Sequence, residues 1–543
     1  MNRLRAIACI LLCLLLCGCV QTPAQGAPGA NPDPSPTPEP PSPRVQSIRF
    51  VSDPPADAAD LSDPYSRINP NTFVVYHPDR ELYNALYQAA YAYLPSLDIS
   101  GFDLTDREKT MSAESLYGAC GFELFDLDRV KLSDDHNTVK FRYLDMDENT
   151  TAKNRETLFA RLSHLENNVV QSGYSEIQKL VAVYQFICEN SDYSSDMENY
   201  TTFTPYGILV EGQGICGGYA LLTQYALTRL GLTAEYVCTE AHAWNIVKIG
   251  ETRYHTDVTW GAGNEWDTRS NSRYLFMDDS LRRESLINTG YPADPIILGY
   301  PGGDRGAPPA CTDTSLNAYA DGFCHAFDID HNTAYICDAD SIDRMDLDCT
   351  NRKTLVQGDS CFQMAYFNGA LYYVSTNDSH LYRLTADGNT ELLDGAGTFY
   401  YLALKGTKLY YGADAADANC NCIDLLPIPN EAETAAMLPG TAVARGRSFC
   451  VRIRFSQPMD AEQNWNNAVF LTDAEGNALP CGYAYDESTN TLTVRPRNYV
   501  DGYSGVSVYV VGDTRAQTGK TTGDCVGMRA AIVSEADRED TAA

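Results

Sequence analysis

The chain has 543 residues, with 40 basic side chains against 72 acidic ones and a formal net charge of −32 at pH 7. So acidic a surface repels phosphate backbones and anionic head groups, which argues against nucleic acid as a partner and against direct docking on an acidic membrane face. The length exceeds what one hydrophobic core organises, so several domains are expected.

Arg3 and Arg5 precede a continuous apolar run, Ala6 to Leu16, too short to span a bilayer. The run closes on Leu16-Cys17-Gly18-Cys19, which resembles the lipobox of bacterial lipoproteins. That resemblance implies residues 1–19 as a signal peptide, lipid attachment at Cys19, and a chain anchored on the outer face of a bacterial cell membrane. An ordinary secretory cleavage among the small residues Gly26 to Ala30 is the alternative. Residues 20–44 are dominated by Pro, Gly, Ala and Ser and read as a disordered, partly extended linker. No later apolar run is long enough for a transmembrane helix.

Residues 45–300 read as one α/β unit, with its core at about 172–280. Leu82, Leu86, Ala89, Ala90 and Tyr93 share one face of a helix expected over Glu81 to Leu94. Thr138 to Leu144 alternates as a strand. Ser175 and Gln178 form a capping-box start for a helix to Glu189, whose face carries Ile177, Leu180, Val181, Tyr184, Ile187 and Cys188. The segment before Ser175 is a candidate cover for whatever site follows.

Three ordered segments then carry chemistry: Gly214-Ile215-Cys216-Gly217-Gly218-Tyr219-Ala220, Ala241-His242-Ala243-Trp244-Asn245 and Tyr254-His255-Thr256-Asp257-Val258-Thr259-Trp260. Cys216 immediately precedes a helix whose face carries Tyr219, Leu222, Ala226 and Leu230, with Gly231 as its stop. A thiol attacks a carbonyl as the thiolate, and unpaired N–H groups at a helix N-terminus favour both the thiolate and a developing oxyanion. Gly217 and Gly218 are expected to leave room for a substrate backbone. His242 opens a strand over Ala243 to Ile249, and Gly250-Glu251 turns it into a second strand, Thr252 to Val258. In that hairpin position 242 lies opposite 259, which brings Asp257 diagonally across from His242. Gln213 is a candidate oxyanion donor, His255 a supporting neighbour or substrate contact, and Trp244 and Trp260 candidate walls of a water-excluding groove. Cys216, His242, His255 and Asp257 have zinc-ligand chemistry but not the spacing of a zinc site, so neither metal nor cofactor is expected.

These three motifs resemble the core of the transglutaminase-like superfamily, in particular its bacterial secreted, protease-like branch, over Tyr206 to about Asp279. The resemblance implies a papain-like α/β scaffold with Cys216 as nucleophile, His242 as base and Asp257 as the orienting carboxylate. It implies a thioester acyl-enzyme formed from an amide or ester. Attack by water would make the protein a cysteine peptidase or amidase, and attack by an amine would make it a transglutaminase-type acyltransferase; hydrolysis leads. Substrates expected at a cell surface are peptides, proteins or cell-wall stem peptides. The competing reading is a non-catalytic adhesion or surface-binding protein, with a reactive-thioester variant pairing Cys216 with Gln213 or Gln224.

Beyond Gly299-Tyr300-Pro301-Gly302-Gly303 the pattern becomes short strands. Ala334 to Cys337, Leu371 to Val374 and Leu409 to Gly412 recur at near-constant spacing, with Ile342 to Met345 matching Leu381 to Leu384. This resembles propeller-type blades and defines a β-repeat segment, 310–436. Alternating runs at Val451 to Phe455, Leu492 to Pro496 and Val506 to Val511 predict a β-sandwich over 439–534, similar to the immunoglobulin-like modules of bacterial surface proteins. A polar tail, 535–543, follows. The expected class is thus multidomain, α/β plus all-β. The 18 cysteines fix no disulfide connectivity from their spacing, and no zinc-ribbon CxxC occurs.

Overall fold

The computed structural model describes residues 41–53, 64, 79–119, 124–144, 147–194, 196, 198–239, 241–262, 272–292, 297–299, 309–322, 324–414, 420–500 and 502–534. The expected signal peptide, Cys19, most of the linker and the tail from 535 lie outside these residues. No described helix is long and apolar enough to cross a membrane.

The described chain opens on β1 (Val45–Ser52), and here the structure departs from the expected boundary. Rather than starting the α/β unit, β1 pairs antiparallel with Phe449–Phe455, so that Ile48 faces Ile453. It thereby joins the four-stranded sheet of the C-terminal sandwich. Nothing in eight residues of alternating pattern specifies a partner some four hundred positions away, which is why the sequence misplaces it.

A small layer follows, with its own core. Helices α1 (Arg80–Tyr91) and α2 (Asp106–Ala119) cover a sheet of β2 (Ser96–Asp98), β3 (Leu127–Leu132) and β4 (Thr138–Tyr143), in the order β2-β4-β3. Leu82, Leu86, Ile99, Val139 and Phe141 are buried between them. The layer is tied to α3 (Glu148–His164) by the buried Arg155, whose guanidinium donates to Tyr91 O at 2.9 Å and to Asp126 Oδ1 at 3.2 Å.

The central unit is built on two helices and a hairpin. Helix α4 (Glu176–Asn190) begins with the expected capping box of Ser175 and Gln178. A two-residue strand, β5 (Asp192–Tyr193), pairs parallel with β6 (Gln213–Gly214) directly before α5 (Cys216–Arg229). Gly231, at φ +86°, ends that helix in the left-handed conformation expected of a stop glycine. Strands β7 (Thr233–Thr239), β8 (Ala243–Ile249) and β9 (Thr252–Thr256) form an antiparallel sheet, with a fourth strand, Ile297–Gly299, beyond β7. The two-residue turn at Gly250-Glu251 sets Ile249 opposite Thr252 and Asn245 opposite Thr256. Glu176, in the first turn of α4, accepts the Gly250 N–H at 2.6 Å and pins the tip of the hairpin. Next come α6 (Val258–Gly261) and α7 (Asp279–Asn288). Leu180, Val181, Tyr184, Tyr219, Leu222, Ala226 and Val247 form one buried core across helices and sheet.

Three consecutive antiparallel meanders follow, of four, four and three strands. The three repeats seen in the sequence are the second strand of each, Thr333–Cys337, Ala370–Ser375 and Lys408–Gly412. Asn368-Gly369, both at positive φ, makes a tight hairpin turn in the middle meander. The last region is a two-sheet sandwich around Ile48, Val451, Ile453, Phe455, Val494, Val506, Val508 and Ile532. Its pairing is mixed, since Thr441–Ala444 runs parallel to Val526–Val533. His164 at the end of α3 bonds Arg497 O at 2.8 Å, and Asn168 donates to Pro496 O at 3.0 Å, joining sandwich and central unit.

Candidate active site

Cys216 is the first residue of α5 and is half-buried. Its helix N-terminus has no side-chain cap, so the N–H groups of the first turn are not spent on one. Gly218 is not the substrate clearance that the sequence suggests. A Cβ there would lie 2.8 Å from Thr202 O and 3.1 Å from Thr204 O, so its missing side chain lets the 202–204 loop pack under the helix. Gly217 faces the other way, with the Tyr236 hydroxyl the nearest group to a notional Cβ at 3.7 Å.

His242 is fixed through its backbone. Thr239 N donates to His242 O at 2.8 Å, and His242 N donates to Thr239 Oγ1 at 3.0 Å, closing a tight turn between β7 and β8. The second strand of the hairpin is shorter than its sequence pattern suggests, because Asp257 turns the chain into α6. Its Oδ1 accepts the Trp260 N–H at 3.1 Å as a helix cap, so Val258 belongs to a helix and not to the strand. Its other oxygen, Oδ2, accepts from His242 Nε2 at 2.7 Å. A carboxylate only accepts, so Nε2 carries the proton and Nδ1 is the nitrogen left for the neighbouring Cys216 thiol.

A fourth group completes the arrangement. Arg282 on α7 donates from Nη1 to Asp257 Oδ2 at 2.8 Å, and its side chain is only 3% exposed. Its guanidinium lies between two indoles, 4.0 Å from the Trp244 ring and 4.4 Å from the Trp260 ring. Trp260 also stacks on His242, with centroids 4.7 Å apart and planes 9° from parallel, and Tyr291 approaches the imidazole at 5.5 Å. Burial works against protonation of His242. The Asp257 charge and hydrogen bond, with the Cys216 sulfur nearby, outweigh it and push the imidazole up to about 9. Burial likewise opposes ionisation of Asp257, but His242 and Arg282 hold its carboxyl below the usual range. The Asp257 carboxylate therefore favours the imidazolium that forms when His242 takes up a proton.

Asn245 couples the two halves of the site. Its side-chain amide donates to Ala220 O in α5 at 3.0 Å, strapping the histidine strand to the cysteine helix. Trp244 and Trp260 do wall the histidine. His255, by contrast, is buried away from it: Trp244 Nε1 donates to His255 Nδ1 at 3.0 Å, and His255 Nε2 donates to Asp279 Oδ1 at 3.0 Å. It supports Trp244 and has no face open to substrate. Gln213 is exposed on β6 and pairs with Asp192 through the backbone. Cys216 forms no disulfide; Cys188 is buried against Val258 O at 3.8 Å, and burial raises the thiols of both Cys188 and Cys238.

Arg282, Asn245 and Tyr291 were not singled out in the sequence. Asn245 closes the second motif and was available to be read. Arg282 gives no local signal, since it sits next to the exposed Arg283 on a hydrophilic helix. His255, Asp279 and Cys311 bring ligand atoms together, but both nitrogens of His255 are already engaged as described. His255 does not group with Cys216, His242 and Asp257 among the described residues.

Residues 163–266 match the profile of the transglutaminase-like superfamily, so the chain carries a transglutaminase-like domain there. No curated protein matches the sequence. Among solved structures, the crystal structure of a TGase is 15% identical, the match covering 30% of this chain and 50% of that one at a TM-score of 0.17. A nidogen/laminin complex is 16% identical over 39% and 68% of the two chains, again at 0.17. The extracellular domain of the putative hybrid two-component system BT4673 from B. thetaiotaomicron is 8% identical over 55% and 44%, also at 0.17. At these scores the structural likenesses carry no argument, and the chain spans only half of that TGase.

Proposed function

We propose that the transglutaminase-like domain is a thiol acyl-transfer enzyme that cleaves peptide or amide bonds, held at a bacterial cell surface by a lipid on Cys19. The observation that carries it is the buried chain from His242 through Asp257 to Arg282, set beside Cys216 at the start of α5.

In this reading the Cys216 thiol passes its proton to His242 Nδ1, and the thiolate attacks the substrate carbonyl. Backbone N–H groups at the start of α5 hold the oxyanion. The imidazolium returns its proton to the leaving amine as the C–N bond breaks, leaving a thioester on Cys216. Water, deprotonated by His242, then attacks the thioester, and the thiol and neutral imidazole are restored. Asp257 holds the ring with Nε2 protonated, and Arg282 holds Asp257. Substrates of the class are peptides, surface proteins or cell-wall stem peptides; propeller-like repeats and an immunoglobulin-like sandwich would serve to present or bind them.

The test is alkylation by iodoacetamide across pH with peptide mapping, in wild type, Cys216→Ala and His242→Ala. Rapid modification of Cys216 well below the ~8.5 of an ordinary thiol, lost on removing His242, supports the reading. An inert Cys216 in folded protein overturns it and leaves the β modules as a binding scaffold. Adding a primary amine to a turnover assay separates the acceptors, since amide products in place of free acid would mean transamidation.

A further inference from the structure

Three cysteines converge where the first two meanders meet. Cys324 opens strand Cys324–Asp328, Cys337 closes Thr333–Cys337, and Cys361 opens Cys361–Phe367. Cys324 and Cys337 are directly paired in the ladder of the first meander, so both side chains leave the sheet on one face. Cys361 reaches that face from the second meander. Its sulfur lies 3.1 Å from that of Cys324, and all three sulfurs lie within 4.8 Å of one another. The residues are 9%, 0% and 4% exposed in sequence order. Cys337 Sγ accepts the Cys361 N–H at 3.0 Å and lies 3.2 Å from Ser360 Oγ.

We propose that Cys324, Cys337 and Cys361 form a three-thiolate site for a thiophilic d10 metal ion, Zn2+ or Cu+, which clasps the first meander to the second. The donor set is sulfur only, which selects soft ions and rejects Ca2+ and Mg2+. A disulfide would use two of the sulfurs and leave the third, the one with an amide N–H aimed at it, without a role. A peptide N–H directed at sulfur, as Cys361 N–H is here, helps a buried metal thiolate offset its negative charge. On binding, each thiol forms a metal–sulfur bond and releases its proton to solvent. Zn2+ with three thiols thus gives a complex of charge −1 and three protons, and Cu+ gives −2 and three protons. Zn2+ takes a fourth donor, for which the Ser360 hydroxyl is the near group. The wide spacing of the three cysteines along the chain matches no knuckle or ribbon pattern, so only the strand pairing brings them together.

The test uses the full chain, purified reduced and without oxygen, stripped with a chelator and titrated with Cd2+ as a spectroscopic probe, then with Zn2+ and Cu+. The expected result is one equivalent of Cd2+ with a thiolate-to-metal charge-transfer band, absent in Cys324→Ser and Cys337→Ser and retained in Cys349→Ser. Zn2+ or Cu+ should displace the probe and protect Cys324, Cys337 and Cys361 from alkylation in mapped digests of wild type. That protection needs no variant, so a misfolded serine mutant does not disarm the test. Folded wild type that takes up none of the three ions overturns the proposal, as does a band that survives both serine substitutions. A Cys324–Cys361 disulfide in protein taken from the exporting cell, with no metal bound after reduction, overturns it too. Repeating the titration in Cys216→Ala separates this site from the acyl-transfer reading, since neither depends on the other.

Discussion

Two histidines on one hairpin meet opposite fates. His242 and His255 are both buried, at 4% and 3% exposure, and each gives its Nε2–H to an aspartate, at 2.7 Å and 3.0 Å. Yet the first is pushed up to about 9 and the second is lowered. Burial lowers both, so the difference lies in the partners. Asp257 is wholly buried, and its charge reaches His242 undiluted, whereas the Asp279 side chain is 51% exposed and screened. The second ring nitrogen decides as much. Trp244 has only an N–H to give and so requires a lone pair on His255 Nδ1, while the Cys216 sulfur beside His242 can accept from a protonated ring. A carboxylate next to a histidine therefore does not by itself make a base; what matters is what the opposite nitrogen meets.

The comparison breaks most sharply at the thiol and its carboxylate. Cys216→Ala should abolish acyl transfer in a turnover assay, and Asp257→Asn should cost about 10^3- to 10^4-fold in kcat, because an amide can donate to Nε2 and favour the wrong tautomer. Activity of Asp257→Asn within about tenfold of wild type would mean that His242 needs no orienting anion.

Arg282→Met comes next. It removes one of the two side-chain donors to Asp257 and leaves His242 as that buried carboxylate's only charged partner, a loss of about 3 to 5 kcal/mol by denaturant unfolding. Because the Arg282 charge lowers His242, its removal should move the imidazole's titration to higher pH, read as a shift in the alkylation profile of Cys216. A purely structural arginine would lower stability and leave the profile in place.

His255→Gln touches the other histidine. The loss is about 1 to 3 kcal/mol, from a Trp244 indole N–H left without its acceptor. Turnover should fall modestly as that wall loosens, with the pH profile of Cys216 unchanged, and a shifted profile would show that His255 titrates with the site.

The effect that sharpens the contrast furthest is on stability against pH. His242 has a folded value above its unfolded ~6.5, so its stabilisation is full below that and is lost as pH rises through about 9. His255 has a folded value below ~6.5, so the unfolded chain binds the proton more readily, and stability falls as pH drops below that value. In urea titrations across pH, His242→Gln should flatten the alkaline limb and His255→Gln the acid limb. Identical limbs in both variants would contradict the assignment.

Much of the site was legible as pattern. The capping box at Ser175, the stop at Gly231 and the two-residue turn at Gly250-Glu251 are local signals, and the turn fixes the register that places Asp257 diagonally from His242. The end of β9 was less legible, because Asp257 reads equally as a strand residue and as a helix cap. Gly218 looked like substrate clearance because a glycine beside a cysteine fits that role, and only the 202–204 loop beneath it shows otherwise.

The sequence by itself determined the order of cysteine, histidine and carboxylate, the elements that carry them and the repeat of short strands, because each depends on contacts between near neighbours or on a fixed turn geometry. Only the tertiary structure decided that Arg282 closes the site, that β1 belongs to the C-terminal sandwich, and that Cys324, Cys337 and Cys361 share one face. Those outcomes rest on pairings between distant segments. Burial of a charge, the choice of a strand partner and the convergence of thiols are set by the surfaces that meet, and a single segment's pattern does not name its partner.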